Sequence, residues 1–245
     1  MHWDFAVILI ILAAIVPWVS RRRIRHLMEL PSTTKMDRLA LYASTFAFQW
    51  LAASVVLWRT LARGLSAAQL GLVASNPRLT AALALGLSGL ILVNQLFSLR
   101  RLAAHPEEIK GLLPQLALKV FPQDNLERLV FGALVVTVAL CEEFIYRGFA
   151  QSVFENWSGG QVAFGIIGSA AYFAVAHLYQ GRRGLGATFG AGLLFSLVRT
   201  WTGSLLVPAI AHFVADMSIG FLAPGRIQAV LASTQTDLSQ GAENK

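Results

Sequence analysis

Cys141-Glu142-Glu143-Phe144-Ile145-Tyr146-Arg147-Gly148 closes a run, Leu129 to Leu140, that holds no charged residue. Two adjacent carboxylates and an arginine at the end of such a run are costly in hydrocarbon, by a few kcal/mol each on insertion scales. Drift would tend to move such groups into loops. Working outward, the two neighbouring stretches that matter are also apolar: one carries His177, the other His212 and Asp216. Ionisable groups on three apolar helices point to one shared site.

The surrounding chain is built for a membrane. Its 245 residues are 56% hydrophobic and only 13% charged, with a mean hydropathy of +0.59, where a soluble domain carries about a quarter charged residues. The apolar runs are long and continuous rather than alternating, which argues against a β-barrel. The fold class expected is all-α, a polytopic transmembrane helix bundle of about seven spans (six to eight). The net charge of +7 sits between apolar runs. It reads as cytoplasmic-loop charge, with membrane lipid and no nucleic acid as partner. A single cysteine excludes an internal disulfide. No internal repeat or low-complexity tract is present.

Seven apolar segments follow in order. The first, Phe5 to Val19, has Asp4 before it and Arg21-Arg22-Arg23-Ile24-Arg25 after it. That order suits a retained helix with its N-terminus outside rather than a cleaved signal peptide. The second is Leu39 to Leu61, after which Ser66-Ala67-Ala68-Gln69 resembles a capping box opening a short interfacial helix. The third, Leu79 to Leu99, carries Asn94 and Gln95, expected to bond between helices. Arg100 to Arg128 is a mixed-charge connection with prolines at 106, 114 and 122. Asp124-Asn125-Leu126-Glu127 then starts the fourth helix with acidic residues in its first turn. Val162 to Leu178, Gly184 to Trp201 and Leu205 to Leu222 complete the set, the sixth rich in small residues that permit close approach, and a polar tail follows Pro224.

Lysine and arginine counts agree with this topology. With the N-terminus outside, inner segments hold six (21–38), five (100–128), two (182–183) and two (226 and 245) of the twenty. The expected localisation is an integral protein of the cell (inner) membrane with its C-terminus in the cytoplasm. Depth imposes one condition. If the fourth helix ended near Arg147, its glutamates would lie toward the outer face while His177 sits at the inner end of the fifth segment. At about 1.5 Å per residue the mismatch is on the order of 10 Å. It shrinks if the fourth helix continues, tilted, to about Trp157, and that continuation is expected.

Within the cluster, Glu142 and Glu143 are about 100° apart on a helix and cannot point the same way. Glu143 and Arg147 are four apart, the favourable order for an ion pair. Glu142 is left freer to accept a proton, as a general base must. The blander reading is an ion pair that only fixes helix packing. His177 follows Phe173 by four residues, and His212 precedes Asp216 by four. That spacing can set two metal ligands side by side or let a carboxylate orient an imidazole. Cys141 as a nucleophile with His177 as base is the weaker idea, since a thiol in an apolar run is usually inert packing. Gly148 suits close packing.

Together, Glu142-Glu143-x-x-x-Arg147, Phe173-x-x-x-His177 and His212-x-x-x-Asp216 resemble the three motifs of the CAAX-protease and bacteriocin-processing family of intramembrane proteases. Thr202-Gly203-Ser204-Leu205, with Pro208 before His212, resembles that family's approach to its third motif. The likeness covers about 105 to 222, with Asp216 where many members have asparagine. It divides the chain into N-terminal helices (1–104), a protease-like core (105–224) and a polar tail (225–245). It implies hydrolysis of a peptide bond in a membrane-associated peptide or protein, such as a prenylated CAAX-type or leader-peptide substrate. Glu142 would activate water, and His177 would position it or stabilise the oxyanion. Glu143, Arg147, His212 and Asp216 would order the other side of the site.

Whether the chemistry uses a cation is left open by the residues. Glu142, His177, His212 and Asp216 are candidate ligands for zinc or another divalent metal. The alternative is a metal-free carboxylate–imidazole pair. Two other classes compete: a non-catalytic scaffold or bacteriocin-immunity-type protein using the same pocket, and a small transporter with a proton relay. Against the transporter, the chain lacks two matching halves.

Overall fold

The computed structural model describes residues 2–74, 76–105 and 112–243, with the side chains of 103 and 229–243 excepted. Pro106 and residues 244–245 lie outside it. Nine α-helices are described: α1 (Trp3–Glu29), α2 (Lys35–Ala62), α3 (Pro77–Ala104), α4 (Leu112–Val120), α5 (Asn125–Glu143), α6 (Gln151–Trp157), α7 (Val162–Ala176), α8 (Gly181–Thr202) and α9 (Leu206–Glu243). A π-helical turn, Phe144–Ala150, joins α5 to α6, and a 3-10 turn, Leu178–Gln180, joins α7 to α8. Among the described residues the only β pairing is one isolated bridge, Leu72 with Ser204.

Every one of the seven apolar segments is helical. Five helices are long and apolar enough to cross a membrane, and α7 with α8 makes a sixth if that bent pair counts as one span. The pair breaks at His177 with a 60° bend. Its arms pack against each other: a Cβ built on Gly192 would lie 3.0 Å from the Cα of Ala170, and Ser196 Oγ lies 3.5 Å from Ser169 Oγ. Gly192 thus uses its missing side chain for the close approach expected of the sixth segment. The fourth helix runs without interruption from Asn125 to Trp157 as one 33-residue span, the continuation that the depth condition requires.

Local signals explain the boundaries. Asp124 caps α5 by accepting a hydrogen bond from the Glu127 N–H at 2.9 Å and pairs with Lys35 at 2.7 Å. Its carboxyl is held below the usual carboxylate range, first by that backbone bond and then by the lysine. Thr34 and Asp37 form a reciprocal capping box at the start of α2. Ser66 and Gln69 also form the expected box, Gln69 N–H to Ser66 Oγ at 3.2 Å and Ser66 N–H to Gln69 Oε1 at 2.8 Å. Yet only a turn follows, not a helix. The chain is diverted at Gly71, whose φ is +73° and whose carbonyl accepts from the Leu205 N–H at 2.7 Å. The polar stretch after Pro224 continues α9, which runs through that proline to Glu243.

Two ion-pair clamps set helix register. Near the start of α2, buried Arg38 forks onto Glu127 of α5 (Nε to Oε2 3.0 Å, Nη2 to Oε1 2.8 Å) and donates to the Thr33 carbonyl at 2.9 Å. Tyr42 stacks edge-on against Phe131 one turn further along. The two helices thus run parallel from a fixed origin, and Gln49 arrives opposite Glu142. At the other end, Asp4 of α1 accepts from Arg59 of α2 (3.0 Å) and from Arg63 just beyond its end (3.1 Å). The expected interhelical role of Gln95 holds as well: its amide donates to the Ala215 carbonyl of α9 at 2.9 Å.

Candidate active site

Six ionisable side chains singled out by spacing fall into two adjoining groups. The first is buried apart from Asp216. Glu143 Oε1 accepts from Arg147 Nη1 at 2.8 Å and from His212 Nδ1 at 2.8 Å. The far ring nitrogen of His212 lies 3.5 Å from Asp216 Oδ2, so the imidazole stands between two carboxylates. Arg147, with no exposed surface, spreads its guanidinium over the Phe173 ring at 4.2 Å and near the Phe195 ring at 5.3 Å. These rings supply cation–π attraction where further hydrogen-bond acceptors are missing.

The second group faces a cavity. Glu142 and His177 both line one cavity of about 610 Å³, together with Gln49, Tyr179 and Asp216. The rest of its wall is mostly aliphatic and aromatic, drawn from α1, α2, α3, α4, α5 and α9. That volume is in the range of ligand sites, and an apolar wall with a few convergent polar groups is their usual make-up. Gln49 donates its amide to Glu142 Oε1 at 2.7 Å, leaving Oε2 without a protein partner. His177 ends α7, and its Nδ1 contacts the Phe173 carbonyl at 2.9 Å. A carbonyl can only accept, so Nδ1 carries a proton, and in the neutral form of that tautomer the ring presents Nε2 as an acceptor.

The helix itself separates the two groups. Glu142 and Glu143 diverge by one helical step, as their adjacency requires. The π-helical turn begins immediately after Glu143, and such wide turns often occur at functional sites. Gly148 lies in that turn, where a Cβ would stand 3.0 Å from the Leu70 carbonyl and 3.2 Å from a Leu205 methyl. This is the close packing expected of it. Cys141 is a free thiol buried in the main apolar cluster.

Metal ligation was the open alternative, and the donors bear on it directly. Among the described residues no group of three or more His, Cys, Asp or Glu side chains is arranged to hold a metal ion. Within the candidate set, His212 spends Nδ1 on Glu143, whereas Glu142 is bonded to Gln49.

Residues 124–218 match the family model described as Rce1-like, type II CAAX prenyl endopeptidase Rce1-like. The segment is similar to that family. It contains Glu142, Glu143, Arg147, His177, His212 and Asp216. No curated protein and no solved structure matches the chain. The long apolar helices are those of an integral membrane protein, and the three motifs quoted from the sequence all lie within the matched segment. The helices before residue 124 lie outside the match, yet they supply Gln49 to the site. Gln49 is a polar residue inside an apolar span, and that anomaly was its only sequence signal. Phe195 and the π-helical turn carried none.

Proposed function

We propose that the chain is an intramembrane endopeptidase in which Glu142 activates a water molecule and His177 positions it. The substrate would be a membrane-associated peptide of prenylated CAAX type. The observation that carries this reading is that Glu142 and His177 line the same largely apolar cavity, from helices that are remote in sequence.

In the proposed reaction, the Glu142 carboxylate takes a proton from water as the oxygen attacks the scissile carbonyl. Neutral His177 accepts the second water hydrogen through Nε2, which its Phe173 contact leaves free. This supports positioning of water over direct donation to the oxyanion. Collapse of the tetrahedral intermediate returns the proton from the Glu142 carboxyl to the leaving amine. Glu143, Arg147, His212 and Asp216 act as positioning residues that hold α5, α8 and α9 in register behind the cavity. A prenyl chain would lie along the aliphatic wall, with membrane lipid as its reservoir. No step is routed through a metal.

The test is the purified protein in detergent with a prenylated CAAX-type peptide, products read by mass spectrometry. Cleavage by the wild type, lost in Glu142→Ala and His177→Ala variants that melt at the wild-type temperature, is expected. Undiminished cleavage in either variant would remove that residue from the mechanism.

A further inference from the structure

Resting on the endopeptidase reading, a second functional group can be found at the other end of the same cavity. The basic cluster after the first span contributes four arginines, Arg21, Arg22, Arg23 and Arg25. Three are exposed, and Arg22 lies over the Trp18 ring at 5.7 Å. Arg23 alone is half-buried and lines the cavity, where it is the only lysine or arginine among the described lining residues. Its sole side-chain bond is a long one, Nη1 to Thr45 Oγ1 at 3.4 Å. Among the described residues no carboxylate pairs with it. A guanidinium offers five donors in a planar fork matched to a carboxylate. Facing an apolar cavity with that fork unfilled, Arg23 has the chemistry of an anion receptor.

Distance says which anion. Thr45 and Gln49 both line the cavity and are one turn apart on α2, about 6 Å. Arg23 touches the first and Glu142 the second. The guanidinium therefore lies on the order of 10 Å from the Glu142 carboxylate. A CAAX motif ends with three residues after its lipidated cysteine, and an extended tripeptide spans about 10 Å at 3.3 Å per residue. Cleavage beside the cysteine at Glu142 would bring the free C-terminal carboxylate to Arg23. We propose that Arg23 binds the C-terminal carboxylate of the substrate and so measures the distance from the chain end to the bond cut.

The experiment compares one prenylated CAAX-type peptide bearing a free C-terminal carboxylate with its C-terminal amide, using the full chain in detergent. Wild type should prefer the acid by about tenfold or more in kcat/KM, the scale of one charge-assisted hydrogen bond. The preference should be expressed in KM. Arg23→Gln should bring the ratio near one by lowering acid cleavage far more than amide cleavage. Arg23→Lys should retain part of it, and Arg22→Gln should retain all of it. Equal rates for acid and amide in wild type, or equal losses on both in Arg23→Gln, would overturn the proposal. A loss on both that anionic phospholipid restores would assign Arg23 to a lipid headgroup instead, and would equally overturn it. Binding of fluorescent acid and amide peptides to the Glu142→Gln protein reads the same discrimination without turnover. If no peptide is cleaved, the endopeptidase reading fails separately from this one.

Discussion

Replacing Arg147 by methionine removes a guanidinium that has no exposed surface and leaves Glu143, equally buried, with only His212 as a partner. The loss exceeds that of a surface pair, which is worth roughly 0–1 kcal/mol. Breaking a buried pair by removing one partner costs about 3–5 kcal/mol, because an uncompensated charge stays in low dielectric. The rings of Phe173 and Phe195, 4.2 and 5.3 Å from the guanidinium carbon, also lose their cation. In a chain of this size each kcal/mol moves the melting temperature by about 2–4 °C, so a fall of roughly 6–20 °C is expected. Tryptophan-fluorescence melts in detergent would measure it. The double variant Glu143→Gln with Arg147→Met removes both charges and should recover much of the loss. A single variant melting within about 2 °C of wild type, or a double variant as unstable as the single, would refute the view that this pair holds the helices behind the cavity.

Other consequences are smaller or more local. Gln49→Leu removes the one protein hydrogen bond to Glu142, a bond to a charged group worth about 1.5–3 kcal/mol. If it aims the carboxylate, kcat/KM should fall by roughly 10- to 100-fold, measured in the cleavage assay; unchanged kinetics would remove Gln49 from the site. Dialysis against a chelator should leave cleavage intact, as expected where no three donors among the described residues converge. Asp124, whose carboxyl is depressed by the Glu127 N–H and Lys35, contributes stability that is present above the unfolded carboxylate value. That stability is lost as pH falls through the lower folded one. The gap in melting temperature between wild type and Asp124→Ala should thus be full at pH 7 and close below about pH 4; a gap unchanged at pH 3 would contradict the pairing.

Signals carried by neighbours in sequence were legible, and those formed across the fold were not. The Asp124 cap, the Glu143–Arg147 pair and the helix running on to Trp157 all follow from spacing and hydrophobic length. Contacts closed over long separations leave little trace. Gln49 and Glu142 are 93 residues apart, and nothing in either segment says which faces meet. Ser66 and Gln69 show the reverse: the local box forms, but the positive φ of Gly71 and its bond to Leu205 override the helix it would begin. The end of the fifth segment beside His177 was legible, but not the 60° bend that folds α7 back on α8. That break aims the ring at the cavity, since the Phe173 carbonyl at the helix end accepts a hydrogen bond from Nδ1–H. The candidate metal donors suit a cation by type, and only the folded chain reveals that His212 is already engaged with Glu143.

The proposed role of Glu142 meets its most direct test in the kcat of the Glu142→Gln protein with prenylated peptide bound at saturation. Glutamine keeps the shape and can still bond to Gln49, but it cannot take a proton from water. The account predicts unchanged peptide affinity with kcat lower by about 10²- to 10⁴-fold, the usual share of a general base. A kcat within about threefold of wild type at equal affinity, a difference of well under 1 kcal/mol in barrier, would contradict it.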